Sequence, residues 1–258
     1  MNPDKSPLIA LMTDFGNDPY VGIMKGQILQ INPSVKILSL SNQIQNHDIR
    51  QGAFILLKSY KYFPFSTIFL IVVDPGVGGL RKAIGAQIEN YYFIGPDNGI
   101  LYPLISEFEE ASIVDLPIPK NVSRTFHGRD IFAPAAATLS QTYSLTDLGS
   151  PSVIETPLYF YWDPKTSSGE VVFIDHFGNI ITNLPESINL KINKEYLITT
   201  ERMKFTAPLK RSYYEGSDQI PFLLISSFNT LEIALRNKKA SDILDINSGD
   251  RIQIHINK

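Results

Sequence analysis

Ile68-Phe69-Leu70-Ile71-Val72-Val73-Asp74-Pro75-Gly76 reads as a strand with no polar face, ended by a turn. A short, continuous apolar run rich in β-branched residues suits a strand buried on both sides, as in sheets covered by helices. Leu8 to Met12 is a second such run and ends at Thr13-Asp14. Between them, Tyr20 to Ile31 places apolar residues at 20, 21, 24, 28 and 31 on one helical stripe, which Asn32-Pro33 stops. Lys36 to Leu40 reads as another strand. Asp48 is a helix cap for a segment carrying Ile49, Ala53, Phe54, Leu57 and Tyr60 on one side. This β-α-β-α-β order predicts an α/β domain of three layers over residues 1–150, with a mostly parallel sheet.

The rhythm changes after residue 150. Pro151, Pro157, Pro164 and Ser167-Ser168 mark residues 151–168 as a linker. Beyond it lie short strand candidates: Glu170 to Asp175, Asn179 to Leu184, Glu195 to Thr199, Pro221 to Ser226 and Arg251 to Ile256. Helix signals are weak there, so residues 169–258 are expected to form a smaller β-barrel domain.

Composition narrows the function. Hydrophobic residues make up 43% of the 258 and charged residues 19%, with a net charge of -3 and no basic run, which ranks nucleic-acid binding low. The absence of cysteine excludes disulfides, thiolate metal sites and a Cys nucleophile. The run Leu8 to Met12 is too short for a signal sequence, and Ile68 to Val73 is too short to span a membrane. A cytoplasmic protein is expected.

Ligands of open α/β sheets bind beyond the carboxyl ends of the strands. Asp14, Asp74 and Asp97 fall there, in Thr13-Asp14-Phe15-Gly16, Asp74-Pro75-Gly76-Val77-Gly78 and Gly95-Pro96-Asp97-Asn98-Gly99. The Asp-Phe-Gly triplet lacks the other kinase motifs, so it does not indicate a kinase. Gly76, Gly78 and Gly79 form neither a Walker loop nor a dinucleotide fingerprint. Asp97-Asn98-Gly99 reads equally as a structural turn. His127, in Phe126-His127-Gly128-Arg129-Asp130, stands at the entrance of a helix through Ala135-Ala136-Ala137 and is a candidate acid or base. His47 reads as a loop residue near the Asp48 cap, and His255 as a solvent-facing strand residue. Asp175-His176-Phe177-Gly178-Asn179 reads first as a hairpin turn and second as the dressing of a nucleoside pocket, with an aromatic to stack and an amide to bond.

Taken in order, Thr13–Gly16, Asp74–Gly78 with Arg81, Gly95–Gly99, Phe126–Asp130 and Asp175–Asn179 resemble the S-adenosylmethionine hydroxide adenosyltransferases, adenosine-forming hydrolases related to fluorinase and chlorinase. Ser226-Ser227-Phe228 with Leu231-Glu232-Ile233-Ala234 extends the resemblance into the tail. The resemblance implies an N-terminal α/β domain, a C-terminal β-barrel, and a homotrimer whose sites lie between neighbouring subunits. It implies a reacting set of Asp74, Arg81 and His127, a ribose contact at Asp14, and contacts to adenine and methionine at Asp175, Phe177 and Asn179. Ser227 matches a methionine-carboxylate contact, and Phe228 is its neighbour on the substrate side. Three departures stand out. Gly128 replaces the Ser of the halide-using relatives, Phe228 replaces their Arg, and Gly79 stands where many hydrolases have Thr or Ser.

The implied reaction suits these residue types. A sulfonium leaves as a neutral thioether and needs no acid, so the difficulty lies in the water. A guanidinium can stabilise developing hydroxide, and Asp74 with His127 can orient the water and take its proton, a role worth roughly 10²–10⁴-fold. No metal or cofactor is expected. Three other readings remain open at this point: a halide-using adenosyl transferase, a protein that binds S-adenosylmethionine or adenosine without turnover, and a metal-dependent hydrolase built on Asp14, Asp74, Asp97 and His127. No tight ligand spacing supports the last.

Overall fold

In the computed structural model, which describes residues 6–256, the apolar runs become the strands of a seven-stranded sheet. Its elements are β1 (Leu8–Thr13), α1 (Tyr20–Ile31), β2 (Lys36–Ser41), α2 (Ile49–Ser59), β3 (Ile68–Val72), β4 (Ala83–Ile88), β5 (Tyr91–Pro96), α3 (Tyr102–Ile105), β6 (Ser112–Asp115), α4 (Ala133–Thr142) and β7 (Ser150–Pro151). The strand order is β2-β1-β3-β5-β4-β6-β7. β2, β1, β3 and β5 run parallel. β4, β6 and β7 continue the sheet antiparallel, so the parallel arrangement read from the first half holds on one side only.

Every residue of β3 is buried. Ile68, Leu70 and Val72 share one core with Ile9 and Leu11 of β1, Met24 and Ile28 of α1, and the alanines of α4. On the opposite face, Gly52 of α2 lies so close to Ile100 and Met12 that a methyl group there would meet Ile100 Cδ1 at 2.8 Å. Asp48 caps α2 as expected, its carboxylate accepting from Gln51 N–H at 2.8 Å. Helices thus cover both faces.

β5 lies between β3 and β4. Residues 73–82 therefore leave β3, cross the carboxyl end of β5 and enter β4. Two strand spacings are about 10 Å, far less than ten extended residues reach. Two turns take up the slack, with Val77 N–H donating to Asp74 C=O at 3.2 Å and Gly79 N–H to Gly76 C=O at 3.0 Å.

The chain divides into two units between Tyr159 and Phe160. The second unit carries β8 (Ser168–Ile174), β9 (Ile180–Pro185), β10 (Glu195–Thr200), β11 (Lys204–Pro208), β12 (Phe222–Ile225), β13 (Thr230–Ala234), α5 (Ala240–Leu244) and β14 (Arg251–His255). The order β11-β10-β14-β8-β9-β13-β12 is nearly closed, because Leu209, just past β11, bridges Leu223 of β12. Val171, Ile180, Ile198, Leu223, Ile233 and Ile252 fill its interior. β11, β13 and the short α5 are additions to the strands read from the sequence.

Candidate active site

Asp14, Asp74 and His127 line one cavity of about 470 Å³ in the first unit. Asp14 follows β1 and Asp74 follows β3, at the carboxyl ends of adjacent parallel strands. Asp14 Oδ2 accepts from the backbone N–H of His47 at 3.0 Å. Its Oδ1 has no protein partner among the described residues, which leaves an acceptor for a hydroxyl-bearing ligand. His47 itself is an exposed loop residue. Phe15, Tyr20 and Phe126 form an aromatic group with ring centroids 5.4 to 6.0 Å apart, of which Phe15 and Phe126 line the cavity.

Arg81 is not among the lining residues but bonds to two of them. Its Nε donates to Asp74 Oδ1 at 3.0 Å and its Nη2 to Asp74 Oδ2, a two-point pair whose side chains are 9% and 5% exposed. The same Nη2 lies 2.9 Å from His127 Nδ1. The Arg81 guanidinium carbon sits 5.2 Å from the centre of the Phe132 ring, within cation–π range. A guanidinium can only donate, so His127 Nδ1 accepts, and a neutral His127 then carries its hydrogen on Nε2. Burial pushes the His127 pKa down, with the Arg81 charge adding to the shift and Asp74 and Asp130 opposing it.

His127 occupies its place through local backbone chemistry. It opens a π-helical turn over Gly128–Phe132, where Ala133 N–H reaches back to Gly128 C=O, before α4 begins. Such turns add a residue and re-aim what precedes them. Gly128 packs tightly: a Cβ there would lie 3.1 Å from Met24 Sδ and 3.2 Å from both Phe126 and Val72. Gly78, at φ +75°, lies against the Arg124 carbonyl, which a Cβ would meet at 2.2 Å, so only glycine lets the Asp74–Arg81 connection pass there.

Asp97 does not join Asp14, Asp74 and His127. Its buried carboxylate accepts from Glu155 N–H at 2.8 Å and Thr156 N–H at 3.2 Å, so the turn reading of this aspartate is correct. Among the described residues, no three His, Cys, Asp or Glu side chains are grouped to hold a metal ion.

In the second unit, Asp175, Phe177 and Asn179 line a separate cavity of about 580 Å³, together with Tyr213 and residues 235–239. The segment is a hairpin turn as well as a pocket wall. Asp175 Oδ1 accepts from Phe177 N–H at 2.9 Å and Asn179 N–H at 2.8 Å, and Oδ2 accepts from Asn179 Nδ2 at 3.0 Å. This holds Phe177 outward, 73% exposed. Tyr213 donates to the buried Glu232. Burial raises the pKa of both, and in Tyr213 the bond to Glu232 adds to the effect. Ser227 and Phe228 sit on the β12–β13 turn, outside the residues that line this cavity. Phe228 N–H donates to Ser226 Oγ, and its ring lies 6.2 Å from that of Phe173. His255 pairs with the Thr199 hydroxyl at 2.8 Å.

Phe132, the aromatic group around Phe126 and the Tyr213–Glu232 pair were missed by sequence reasoning. Phe15, Phe126 and Glu232 lie within quoted motifs, which were the signals available; Phe132 and Tyr213 left none.

The arrangement can be set beside known proteins. Residues 9–149 match the SAM hydroxide adenosyltransferase N-terminal domain, and residues 169–253 match the C-terminal domain of the same family. The chain is 33% identical to the (R)-S-adenosyl-L-methionine hydrolase of Methanocaldococcus jannaschii, covering 98% of each protein. It is 30% identical to the enzyme of that name from Thermus thermophilus, covering 95% of this chain and 98% of the relative. A fluorinase from an Actinoplanes species is 25% identical over 91% of this chain and 92% of its own. A crystal structure of an uncharacterized conserved protein from Thermotoga maritima superposes with a TM-score of 0.89 at 33% identity, covering 96% of this chain and all of that one. With both family domains matched in order and likeness running nearly end to end, the chain belongs to the SAM hydroxide adenosyltransferase family.

Proposed function

We propose that this protein hydrolyses S-adenosyl-L-methionine to adenosine and L-methionine. The observation that carries the reading is the bonded set of Asp74, Arg81 and His127 at the wall of a cavity that also holds Asp14. A water oxygen attacks the ribose C5′ carbon in line with the sulfur. The O–C5′ bond forms, the C5′–S bond breaks, and the bonding pair leaves with sulfur as the neutral thioether of methionine. One proton is released.

Asp74 receives that proton on a carboxylate lone pair that Arg81 leaves free. His127, with Nδ1 occupied by Arg81, contributes an Nε2–H that orients the water. Arg81 holds both groups and places a permanent positive charge behind the developing hydroxide. Holding the water in line is worth up to about 7–11 kcal/mol in favourable cases. Because the leaving group is neutral, the step calls for no metal or cofactor. Asp14 binds the ribose hydroxyls; Asp175, Phe177 and Asn179 receive the adenine and methionine ends; Ser227, with Phe228 as its apolar neighbour, donates its hydroxyl to the methionine carboxylate.

The relatives' names specify the (R) sulfonium epimer, and we take that epimer as the substrate. We further propose a cytoplasmic homotrimer whose sites combine the first unit of one subunit with the second unit of its neighbour. Leu80, wholly exposed beside Arg81, and the exposed Phe177 support an interface at these residues.

The test is incubation of chelator-treated protein with each epimer in ¹⁸O-water, with and without chloride. The expected product is adenosine labelled at its 5′ oxygen. Retained ligand without product would instead show a binding protein, 5′-chloroadenosine a halide-using enzyme, and activity lost to chelator and restored by metal a metal-dependent hydrolase. Native mass spectrometry tests the trimer.

A further inference from the structure

The turn Gly95–Gly99 has no role in the chemistry above, yet it touches both ends of the segment that carries it. Asn98 Nδ2 donates to the carbonyl of Val73, the residue before Asp74, at 2.9 Å. Asn98 Oδ1 accepts from Ile100 N–H at 3.2 Å. A carbonyl can only accept and an N–H can only donate, so these two partners allow the amide one orientation. One residue earlier, Asp97 N–H donates to the carbonyl of Lys82, the residue after Arg81, at 3.0 Å.

The position of Val73 makes the first bond matter. The ladder between β3 and β5 ends at Leu70 with Ile94, and that between β1 and β3 ends at Thr13 with Val72. Val73 lies past both, and a side-chain amide takes over where strand pairing stops. The turn is itself anchored. The Asp97 carboxylate holds Glu155 and Thr156 N–H, and the Asp97 carbonyl accepts from the Thr156 hydroxyl at 2.9 Å.

We infer that Asn98, backed by Asp97, is a positioning residue that sets where Asp74 meets Arg81 and His127. The inference rests on reading those three residues as the reacting group. A displacement of about 1 Å in a reacting group can lower turnover by about 10²-fold, and the Asn98 bond lies one residue from the Asp74 carboxylate.

Asn98→Asp is nearly isosteric. It keeps the acceptor for Ile100 N–H and replaces the donor to Val73 with a repelling oxygen. The expected result is a roughly 10- to 100-fold loss of kcat with S-adenosylmethionine, with KM and the Kd for adenosine changed less than about threefold. Arg81→Ala is measured in parallel. If Arg81→Ala loses turnover while Asn98→Asp keeps it, the inference is wrong and the reading of the site stands. If Arg81→Ala keeps full turnover, the reading of the site is wrong and the inference goes with it. Equal losses of kcat and adenosine affinity in Asn98→Asp, or lowered thermal stability with unchanged kcat, would show a general structural role and also overturn it. Should the aspartate variant not fold, Asn98→Ser, which keeps a hydroxyl donor at shorter reach, is judged by the same split between kcat and KM.

Discussion

Replacing Arg81 with lysine separates charge from geometry. Arginine at this position joins the other two residues of the set by three bonds at once: Nε and Nη2 with the two Asp74 oxygens, and Nη2 with His127 Nδ1. A lysine keeps the positive charge but presents one compact ammonium, which cannot occupy both positions of the fork. The expected retained contact is one oxygen of Asp74, and His127 Nδ1 loses its donor. Without it, the ring can move its hydrogen between nitrogens, and the Nε2–H that orients the water is no longer assured. Removing one preorganised donor from a reacting site costs about 10²–10³ in kcat, and that range is expected for Arg81→Lys. Burial of the pair, with side chains only 9% and 5% exposed, argues against water replacing the lost bonds. Asp14 and the second-unit residues are untouched, so the adenosine Kd should stay within about threefold. Single-turnover kinetics with calorimetric titration of adenosine measures both quantities. A lysine variant with kcat within threefold of the parent would refute the fork and leave only its charge.

The folded chain holds His127 below the ordinary histidine value near 6.5, so the unfolded chain binds that proton first. Stability is therefore lost as pH falls below about 6.5, and the acid limb of kcat/KM, which reports the free enzyme, should lie below that value and shift in His127→Gln; an unchanged limb in the variant would remove His127 from it. Asp14→Ala should weaken adenosine about 10- to 100-fold, as expected for one charge-assisted bond, and equal affinities by calorimetry would displace the ribose contact. Gly128→Ser should destabilise the first unit by about 1–3 kcal/mol in denaturant titration, because Met24, Phe126 and Val72 already surround the new Cβ. No loss would mean that these neighbours yield.

Much of the first unit was legible from the spacing and runs of its apolar residues. Of the α1 stripe at 20, 21, 24, 28 and 31, positions 21, 24 and 28 are buried while Tyr20 is exposed, and the all-apolar β3 is buried throughout. β4 escaped because Ala83-Ile84-Gly85-Ala86-Gln87-Ile88 has few of the β-branched residues that announce a strand. Its glycine serves packing: a Cβ at Gly85 would meet Leu145 at 3.0 Å. β13 escaped because a charged residue, Glu232, lies inside a strand whose five residues are all buried. The aspartates that end β1 and β3 were legible by the rule that ligands gather at carboxyl ends of strands. The placing of Phe132 under Arg81 was not, since the π turn shifts the phase that a helical reading assumes. Asp97 showed the opposite limit, because its partners at 155 and 156 are almost sixty residues away.

The position of β5 between β3 and β4 fixes an order of events during folding. β5 follows both neighbours in the sequence, so a nascent chain that has emerged only through β4 cannot yet place those two strands at native separation. A direct β3–β4 pairing would put them one strand spacing apart and leave the intervening residues in another shape. Asp74 and Arg81 reach their final relation only when residues 91–96 have inserted and paired on both sides. On the proposed mechanism, chains without this pairing should be inert toward substrate, and the recovery of turnover during refolding should coincide with the completion of the sheet.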